Sequence, residues 1–347
     1  MLKLPGKLTA ETFLSGYWQK APLFMPRAID SMRPAITRNE LAWLATLDDV
    51  ESRIVFTQRT KERTRYRVET GPFDPAFLEA LPKRDWSLLV HDVEKHLPSM
   101  RRLFEQVPFI PDWRIDDLMI SFAAPGGGVG PHRDNYDVFL CQGIGIREWR
   151  SSSGDINEDA LASNELALLR EFHDGERHMT RRGDVLYLPP GIAHWGTAQR
   201  ACLTYSIGMR APAFYADPDL QLREVRPGYI SSEARTRAGK DASSLGRAVT
   251  ELKDWLHPLA PTDEEIAALM EAPAELRKLR LHGMARMAYD DATLYVNGVE
   301  RSIEVGALKP VACLCTRRKL SNGLVDTLES DCLRWLLAQG AFELPDD

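Results

Sequence analysis

The chain has 347 residues, of which 44% are hydrophobic and 27% charged, and its formal net charge is −6. A chain of this length can bury a sizeable core and form more than one domain. It contains no run of about eighteen apolar residues that would span a bilayer. The acidic balance gives no general electrostatic reason to bind naked nucleic acid and would instead attract a basic protein.

Two features of the sequence favour a cytoplasmic location. The N-terminal stretch MLKLPGKLTAETF lacks the apolar core and the small-residue cleavage site of a signal peptide. The five cysteines are odd in number and scattered along the chain, which suits reduced thiols better than a disulfide framework. We therefore expect a cytoplasmic protein without a membrane segment.

The first hundred residues predict helices and strands that flank a larger core. A helix should begin at Thr9, and Thr37-Arg38-Asn39-Glu40 is a capping-box pattern at the start of a second helix. The pattern then predicts a hairpin at 52–58 and 65–69, a helix at 73–81, a strand at 86–90 and an amphipathic helix at 98–106.

A strand is predicted over Ile115 to Phe122, where the side chains fall into two sets on alternate faces. The apolar set, which should pack into the core, is Leu118, Ile120 and Phe122. The other set is Asp117, Met119 and Ser121. Since an acidic side chain in a protein interior is costly unless paired, Asp117 should meet either an internal arginine or a cationic ligand.

The centre of the chain carries a pattern typical of a metal site. His132 and Asp134 are two residues apart, so in a strand both side chains point to the same face. We predict His194 as the third ligand, because the turn Pro189-Pro190-Gly191 leads through it into a further apolar run. Two histidines and one carboxylate leave one face of an octahedral ion open, as in non-haem Fe(II) oxygenases.

Two other histidine–aspartate pairs, His91-Asp92 and His173-Asp174, are weaker candidates. The members of each pair are adjacent, so in a strand they point to opposite faces and cannot easily hold one ion. An isolated His-x-Asp is itself a weak signal, and here its surroundings strengthen it.

Arg147 is a candidate anchor for a dicarboxylic acid. The apolar run Val138 to Cys141 predicts a buried strand and Gln142-Gly143 predicts a break, so Arg147 should lie on an antiparallel returning strand beside the metal. A planar guanidinium suits bidentate binding of a carboxylate. The alternative is a surface arginine paired with Glu148.

The stretch WRIDDLMISFAAPGGGVGPHRDNYDVFLCQG, followed by Arg147 and PPGIAHWG, resembles the JmjC-type, cupin-like 2-oxoglutarate oxygenases. More narrowly, it resembles the bacterial ribosomal oxygenases, which FLSGYWQKAPL near the N-terminus also fits. The resemblance implies a mainly β fold with α-helices, a double-stranded β-helix of the JmjC or cupin jelly-roll type. It also implies a C-terminal helical dimerisation region and a winged-helix-like domain.

The resemblance assigns roles to individual residues. Fe(II) would be held by His132, Asp134 and His194, with 2-oxoglutarate and O2 as co-substrates. Ser121 would join Arg147 in binding 2-oxoglutarate. The pocket for a substrate arginine would be lined by Asp117, Met119 and Tyr136. The predicted last barrel strand, Cys202 to Met209, would bring three further residues to the site: Thr204 for the co-substrate, and Ser206 and Met209 for the substrate. The alternative is that these three are ordinary strand residues.

The predicted domains are an N-terminal flanking region at 1–90, the catalytic β-helix at 91–215, the dimerisation helices at 216–262 and the winged-helix-like domain at 263–347. Asn297-Gly298 is a hairpin signal within the last domain. Winged-helix modules often bind DNA, but the chain shows neither a basic recognition helix nor a strong positive patch. We therefore expect no specific DNA binding and favour a protein-interaction role.

The resemblance implies an Fe(II)- and 2-oxoglutarate-dependent protein hydroxylase, acting as a homodimer on an arginine of the sixteenth large-subunit ribosomal protein. A histidine hydroxylase or a lysine demethylase of another protein is an alternative with the same chemistry. A catalytically silent cupin-like scaffold is an alternative of another class, as is a metal-independent transcription factor acting through the C-terminal region.

Overall fold

The computed structural model describes residues 2–30, 32, 36–60, 64–152, 161–163, 168–169, 172–173, 175–209, 228–232, 242–252, 260–304 and 306–344. The chain divides into two compact units. The first comprises Met1–Glu94, Ser99–Val107 and Asp116–Ala211, and the second comprises Lys95–Pro98, Pro108–Ile115 and Pro212–Asp347. Among the described helices, none is long and apolar enough to cross a membrane.

Eleven described strands lie between residues 23 and 209. They are β1 (Leu23–Met25), β2 (Ser52–Arg59), β3 (Thr64–Thr70), β4 (Trp86–Val90), β5 (Ile115–Ala123), β6 (Val138–Ser152), β7 (Leu161–Ser163), β8 (Leu168–Leu169), β9 (Glu176–Arg181), β10 (Val185–Leu188) and β11 (Ala193–Met209). Nine of them form one sheet in the order β1-β10-β6-β11-β5-β4-β2-β3, with β9 also paired to β6, whereas β7 and β8 pair with each other. The predicted hairpin is confirmed as β2 and β3.

Short helices precede the central strands. They are α1 (Ala10–Gly16), α2 (Arg38–Leu44), α3 (Pro75–Glu79) and α4 (Val93–His96), followed by 3-10 helices at Pro98–Gln106 and Asp112–Arg114. The predicted capping box is present in α2, where the Glu40 carboxylate accepts the Thr37 N–H at 2.7 Å and Thr37 Oγ1 accepts the Glu40 N–H at 3.2 Å. Helix α1 buries Phe13 edge-on against Tyr187 of β10, with ring centroids 5.0 Å apart.

Strand β6 differs from the prediction made around Arg147. The predicted break at Gln142-Gly143 and the returning strand are wrong, because β6 runs without interruption from Val138 to Ser152. Along one edge, the first residues of β6 pair with β10 and its last residues pair with β9. Between these two pairings, the turn at Gly183 hydrogen-bonds to the backbone of Gln142. The Gln142 side chain donates to two backbone carbonyls here, and Gly145 takes a positive φ of 72°. The strand therefore continues through an irregularity rather than turning back.

The second unit combines helices with a three-stranded antiparallel sheet. Its elements are α5 (Ala242–Thr250), α6 (Asp263–Glu271), α7 (Pro273–Leu276), β12 (Met287–Tyr289), β13 (Thr293–Val296), β14 (Val299–Ser302), α8 (Leu308–Arg317), α9 (Asn322–Val325) and α10 (Ser330–Ala338). The predicted hairpin turn is confirmed, since Asn297 and Gly298 join β13 to β14 with φ of 50° and 81°. Much of the predicted dimerisation region lies outside the described residues. The dimer and the winged-helix relationship stay predictions.

Candidate active site

A cavity of about 290 Å³ opens in the first unit. Its walls come from β2, β4, β5, β6 and β11 and from the segment that joins β5 to β6. The alternation predicted for β5 is confirmed, because Leu118, Ile120 and Phe122 are buried in the core. The opposite set lines the cavity: Asp117, Met119 and Ser121.

The three predicted metal ligands meet in this cavity. Donor atoms of His132, Asp134 and His194 all lie within 4.8 Å of one another. The Asp134 carboxylate is 3.8 Å from Nε2 of His132 through Oδ1 and 3.6 Å from Nε2 of His194 through Oδ2. One carboxylate close to two imidazoles is the ligand set of a facial metal triad.

Backbone carbonyls fix the tautomers of both histidines. His132 Nδ1 lies 3.0 Å from the Gly130 carbonyl oxygen, and His194 Nδ1 lies 3.0 Å from that of Ile192. A carbonyl oxygen only accepts, so each Nδ1 carries the hydrogen and each Nε2 keeps its lone pair for a metal. Burial lowers the pKa of His194 to about 4, and His132 contributes in the same direction. His194 is therefore neutral at pH 7, as metal binding requires.

The backbone of this site differs from the predicted one. His132 and Asp134 do not share a regular strand, because His132 forms only an isolated bridge with His194 and residues 133–137 form no strand. Buried Asp137 anchors the end of this segment, since it accepts hydrogen bonds from the Tyr187 hydroxyl and the Gln19 amide. The side chains converge because the segment is held at both ends, not because of strand alternation.

Arg147 lies buried beside the triad with 2% of its surface exposed. The alternative pairing with Glu148 is wrong, since Glu148 contacts Arg150 and Gln199 on the other face of β6. Among the described residues, Arg147 has no carboxylate partner, its Nε has no acceptor, and burial lowers its pKa. A buried guanidinium without a counter-ion is costly, so the cavity is suited to an anionic ligand.

Two hydroxyl groups accept hydrogen bonds from Arg147. Its Nη1 donates to Ser121 Oγ at 3.1 Å and to Thr204 Oγ1 at 3.4 Å. Ser121 lines the cavity as predicted, whereas Thr204 is absent from the described residues that line it and acts through Arg147. Gly196 provides the space, because a Cβ there would lie 2.6 Å from Arg147 Nε and 2.5 Å from Trp149 Cζ3.

The other end of the cavity carries the predicted substrate residues. Asp117 and Met119 line it together with Ser206, and Tyr136 lines it while remaining 40% exposed. Met209 is buried but is not among the described lining residues, so its role stays a prediction. An internal arginine was one of the two partners predicted for Asp117, but no arginine forms an ion pair with it among the described residues.

Several lining residues were not predicted from the sequence. His91 lines the cavity with Nδ1 3.5 Å from Asp117 Oδ2, and its Nε2 has no hydrogen-bond partner among the described residues. Arg53 and Leu89 reach the same wall, because the register aligns Arg53 with Leu89 and Leu89 with Ser121. Trp149 completes the wall beside Arg147. The only signal for His91 and Arg53 is cross-strand register, which no local motif reveals.

The fold and this site define a class of protein. Residues 102–216 match the family described as JmjC domain. This stretch of the chain is therefore a JmjC domain, and the predicted mainly β fold of the JmjC or cupin type is confirmed, whereas the C-terminal dimerisation region and winged-helix-like domain stay predictions.

Two curated relatives are similar to a large part of the chain. The Ribosomal protein uL16 3-hydroxylase of Escherichia coli strain K12 is 36% identical over 250 residues, which cover 70% of this chain and 65% of that protein. The Probable ribosomal oxygenase of Haemophilus influenzae is 34% identical over 265 residues, covering 72% of this chain and 64% of that protein. The matched part thus spans slightly less than two thirds of each relative.

Solved structures of ribosomal oxygenase YcfD from Escherichia coli resemble the whole chain. One crystal structure has a TM-score of 0.76 and 27% identity, covering 99% of both chains. The complex of YcfD with cobalt and 2-oxoglutarate has a TM-score of 0.75 and 28% identity, covering 97% of this chain and 98% of that one. The similarity therefore includes the second unit as well as the JmjC domain.

Proposed function

We propose that this chain is an Fe(II)- and 2-oxoglutarate-dependent dioxygenase that hydroxylates a protein. The observation that carries this proposal is the shared cavity of the facial triad and an uncompensated, buried Arg147. A metal triad or a buried arginine alone is compatible with many functions, but together they provide one site for a metal and one for an anion. The relative crystallised with cobalt and 2-oxoglutarate supports the same pairing.

Fe(II) would be held by Nε2 of His132, Nε2 of His194 and the carboxylate of Asp134. The Nδ1–H groups of both histidines are engaged by backbone carbonyls, so the imidazole rings are oriented before the metal arrives. When bound, iron and 2-oxoglutarate together supply the oxidising chemistry that places one oxygen atom of O2 into a substrate C–H bond. The protein orients that bond and keeps other molecules away from the metal.

Arg147 anchors 2-oxoglutarate through the carboxylate distant from the metal. Its Nη1 is held by Ser121 and Thr204, which leaves the rest of the guanidinium for the ligand. The buried setting strengthens this ion pair, because little water competes for the charges. A dicarboxylic acid of the right length satisfies both Arg147 and the metal, so we expect 2-oxoglutarate to bind more tightly than a monocarboxylic keto acid.

The substrate end of the cavity favours a cationic side chain. Asp117 offers a carboxylate, and the exposed ring of Tyr136 offers an aromatic face at the cavity's edge. A guanidinium binds both a carboxylate and an aromatic ring face. We therefore assign Asp117, Met119, Tyr136 and Ser206 to a pocket for a substrate arginine.

The relatives indicate which protein carries that arginine. One is named for 3-hydroxylation of ribosomal protein uL16 and the other as a probable ribosomal oxygenase. Ribosomal proteins are usually basic, and the net charge of −6 attracts such a partner. We propose uL16, the sixteenth large-subunit protein, as the substrate. The family resemblance alone suggests that the enzyme is a homodimer, and the five free cysteines support a reducing, cytoplasmic setting.

Mass spectrometry tests this proposal. Ribosomal proteins from cells lacking this protein would be incubated with the pure enzyme, Fe(II), ascorbate and 2-oxoglutarate. We expect uL16 alone to gain one oxygen atom, on an arginine. Gain of an oxygen atom on a histidine, or loss of a methyl group from a lysine, would mean that the assigned target residue is wrong while the iron- and 2-oxoglutarate-dependent reaction is right. Absence of both product and succinate would favour a silent scaffold.

A further inference from the structure

Gln142, a buried residue of β6, is connected to Arg147 by hydrogen bonds. It has 1% of its surface exposed and lies opposite Thr204 in the pairing of β6 with β11. Its side-chain oxygen Oε1 lies 3.3 Å from the hydroxyl of Thr204 and 3.1 Å from that of Thr180. Gln142 is not among the described residues that line the cavity, so any effect on a ligand must pass through its neighbours.

Two backbone carbonyls fix the orientation of the Gln142 amide. Its Nε2 donates to the carbonyl oxygen of Ile144 at 2.7 Å and to that of Leu203 at 3.0 Å, which uses both hydrogens of the amide group. The reversed amide would place three acceptor oxygens together, with no hydrogen between them. Oε1 therefore faces the threonine hydroxyls, and since an amide oxygen only accepts, a hydroxyl must donate to it.

The two neighbours of the Thr204 hydroxyl decide its direction. Nη1 of Arg147, 3.4 Å away, can only donate, and Oε1 of Gln142 can only accept. The single hydroxyl hydrogen of Thr204 therefore points to Gln142, and a lone pair points to the guanidinium. A hydroxyl turned the other way would direct its hydrogen at a buried cation and leave Nη1 without this acceptor.

Thr180 connects the same glutamine to the backbone of Arg147. It lies opposite Arg147 in the pairing of β9 with β6, and its hydroxyl is 2.9 Å from the Arg147 carbonyl oxygen. The single hydrogen of this hydroxyl serves either that carbonyl or Oε1 of Gln142, which is slightly more distant. When Thr180 donates to the carbonyl, Thr204 is the donor that remains for Gln142.

We propose that Gln142 is a positioning residue for 2-oxoglutarate binding, which acts by orienting the Thr204 hydroxyl as an acceptor for Arg147. The groups that connect Gln142 to Arg147 are neutral, so they hold Nη1 without a carboxylate that would compete with the ligand for the guanidinium charge. This inference rests on the proposed function, because it assumes that Arg147 binds the distal carboxylate of 2-oxoglutarate. It also accounts for an almost fully buried amide in the middle of β6.

A double-mutant cycle on the zinc-loaded, full-length protein tests this role, with the dissociation constant of 2-oxoglutarate as the measurement. The variants are Gln142→Met, Thr204→Val and the two combined. We expect each single variant to bind 2-oxoglutarate about 3-fold to 10-fold more weakly, the scale of one neutral hydrogen bond. The double variant should bind no more weakly than Thr204→Val. Wild-type affinity in Gln142→Met, or two losses that multiply in the double variant, would overturn the inference and leave the proposed function intact.

Cys141→Ala is the matched control for a loss of stability in β6. Cys141 is also buried, but adjacent side chains of a strand alternate, so it faces away from Gln142. We expect both Cys141→Ala and Gln142→Met to lower the melting temperature, and only Gln142→Met to weaken 2-oxoglutarate binding. Zinc binding should be unchanged in both, because the hydrogen bonds of Gln142 lead to Arg147 and not to the metal ligands. Equal weakening of 2-oxoglutarate binding by Cys141→Ala would overturn the inference, since Gln142 would then contribute only to the packing of the strand.

A measurement on wild-type protein covers the case in which Gln142→Met does not fold. In protein with ¹³C-labelled threonine, in an equal mixture of H2O and D2O, a hydroxyl hydrogen that exchanges slowly gives separate Cβ signals for the two isotopes. We expect separate signals for Thr204, identified by their loss in Thr204→Val, because Gln142 holds the hydrogen. A single averaged signal would overturn the inference whether or not the protein binds 2-oxoglutarate. If wild-type protein binds no 2-oxoglutarate, the proposed function fails and the inference fails with it.

Discussion

His132 and His194 face each other across an isolated antiparallel bridge, where each backbone N–H donates to the other residue's carbonyl oxygen, at 3.0 and 2.9 Å. The bridge joins the segment before β6 to the start of β11, which are about sixty residues apart in sequence. Their rings lie 4.2 Å apart between centroids. Two ligands are therefore positioned by backbone hydrogen bonds, and the Asp134 carboxylate already lies 3.8 Å from Nε2 of His132 and 3.6 Å from Nε2 of His194.

Removing a metal ligand should abolish turnover without unfolding the protein. We expect His132→Ala and Asp134→Ala to lose both bound Fe(II) and conversion of 2-oxoglutarate to succinate, because two ligands hold iron too weakly. Metal content and succinate release are the measurements. His173→Ala is the control, since His173 is not part of the triad. Normal succinate release by either ligand variant would refute the metal assignment.

Replacing Arg147 should weaken 2-oxoglutarate binding without lowering the melting temperature of the protein. We expect Arg147→Met to weaken 2-oxoglutarate binding by about 1.5–3 kcal/mol, the range for hydrogen bonds to charged groups. The melting temperature without ligand should be unchanged or higher, because a buried charge without a counter-ion is removed.

Calorimetry and thermal unfolding measure the two effects of Arg147→Met. Arg150→Met is the matched control, as Arg150 lies on the same strand but pairs with Glu148. Unchanged affinity in Arg147→Met would mean that another group anchors the co-substrate.

Asp117 should act on the protein substrate and not on 2-oxoglutarate. We expect Asp117→Asn to raise KM for the substrate protein by about 10-fold to 100-fold, because a charge-assisted hydrogen bond to the substrate cation is lost. Slow decay of 2-oxoglutarate in the absence of substrate should persist. The control is Asp116→Asn, on the opposite face of β5. Equal losses in both reactions would argue that Asp117 supports the metal site instead.

The second unit should become less stable in mild acid because of His282. The Met284 N–H donates to His282 Nδ1 at 3.1 Å, so protonation of that nitrogen removes an acceptor. Burial lowers the pKa of His282 below its ordinary value of 6.5, while Glu343 opposes the shift. Above pH 6.5 both folded and unfolded states are neutral at this site. As pH falls through that value, the unfolded state takes up the proton first, and stability is lost until the folded pKa is reached.

The comparison of wild type with His282→Gln measures this effect. The melting temperature of wild type should fall more than that of the variant between about pH 7.5 and about pH 5. His178→Gln serves as the control for a histidine in the first unit. If the melting temperatures of wild type and His282→Gln depend on pH in the same way, protonation of His282 does not destabilise the second unit.

Local signals in the sequence predicted the metal triad and the capping box that begins at Thr37. Residue types and spacing indicated His132, Asp134 and His194 once the surrounding motif was included, although the strand alternation assumed for the first two does not occur. Thr37 and Glu40 are likewise a local pattern, and the hairpin turn at Asn297-Gly298 requires residues that tolerate positive φ.

Features set by long-range pairing could not be predicted in this way. The break expected at Gln142-Gly143 does not occur, because β9, β10 and β11 pair along the whole of β6 and carry it through the irregularity. His91 and Arg53 reach the cavity only through the register of β2, β4 and β5. The adjacency of His91 and Asp92 argues against a ligand pair but says nothing of His91 alone, which reaches the cavity beside Asp117.

The most direct test of the central claim is a calorimetric titration of 2-oxoglutarate into the full-length protein, with and without Zn(II) as a redox-inert substitute for iron. The account predicts one site per chain whose affinity rises strongly when zinc is present, and predicts that this rise is lost in Asp134→Ala. Binding of equal strength with and without zinc would contradict the account, because it would show that the triad and Arg147 do not form one site.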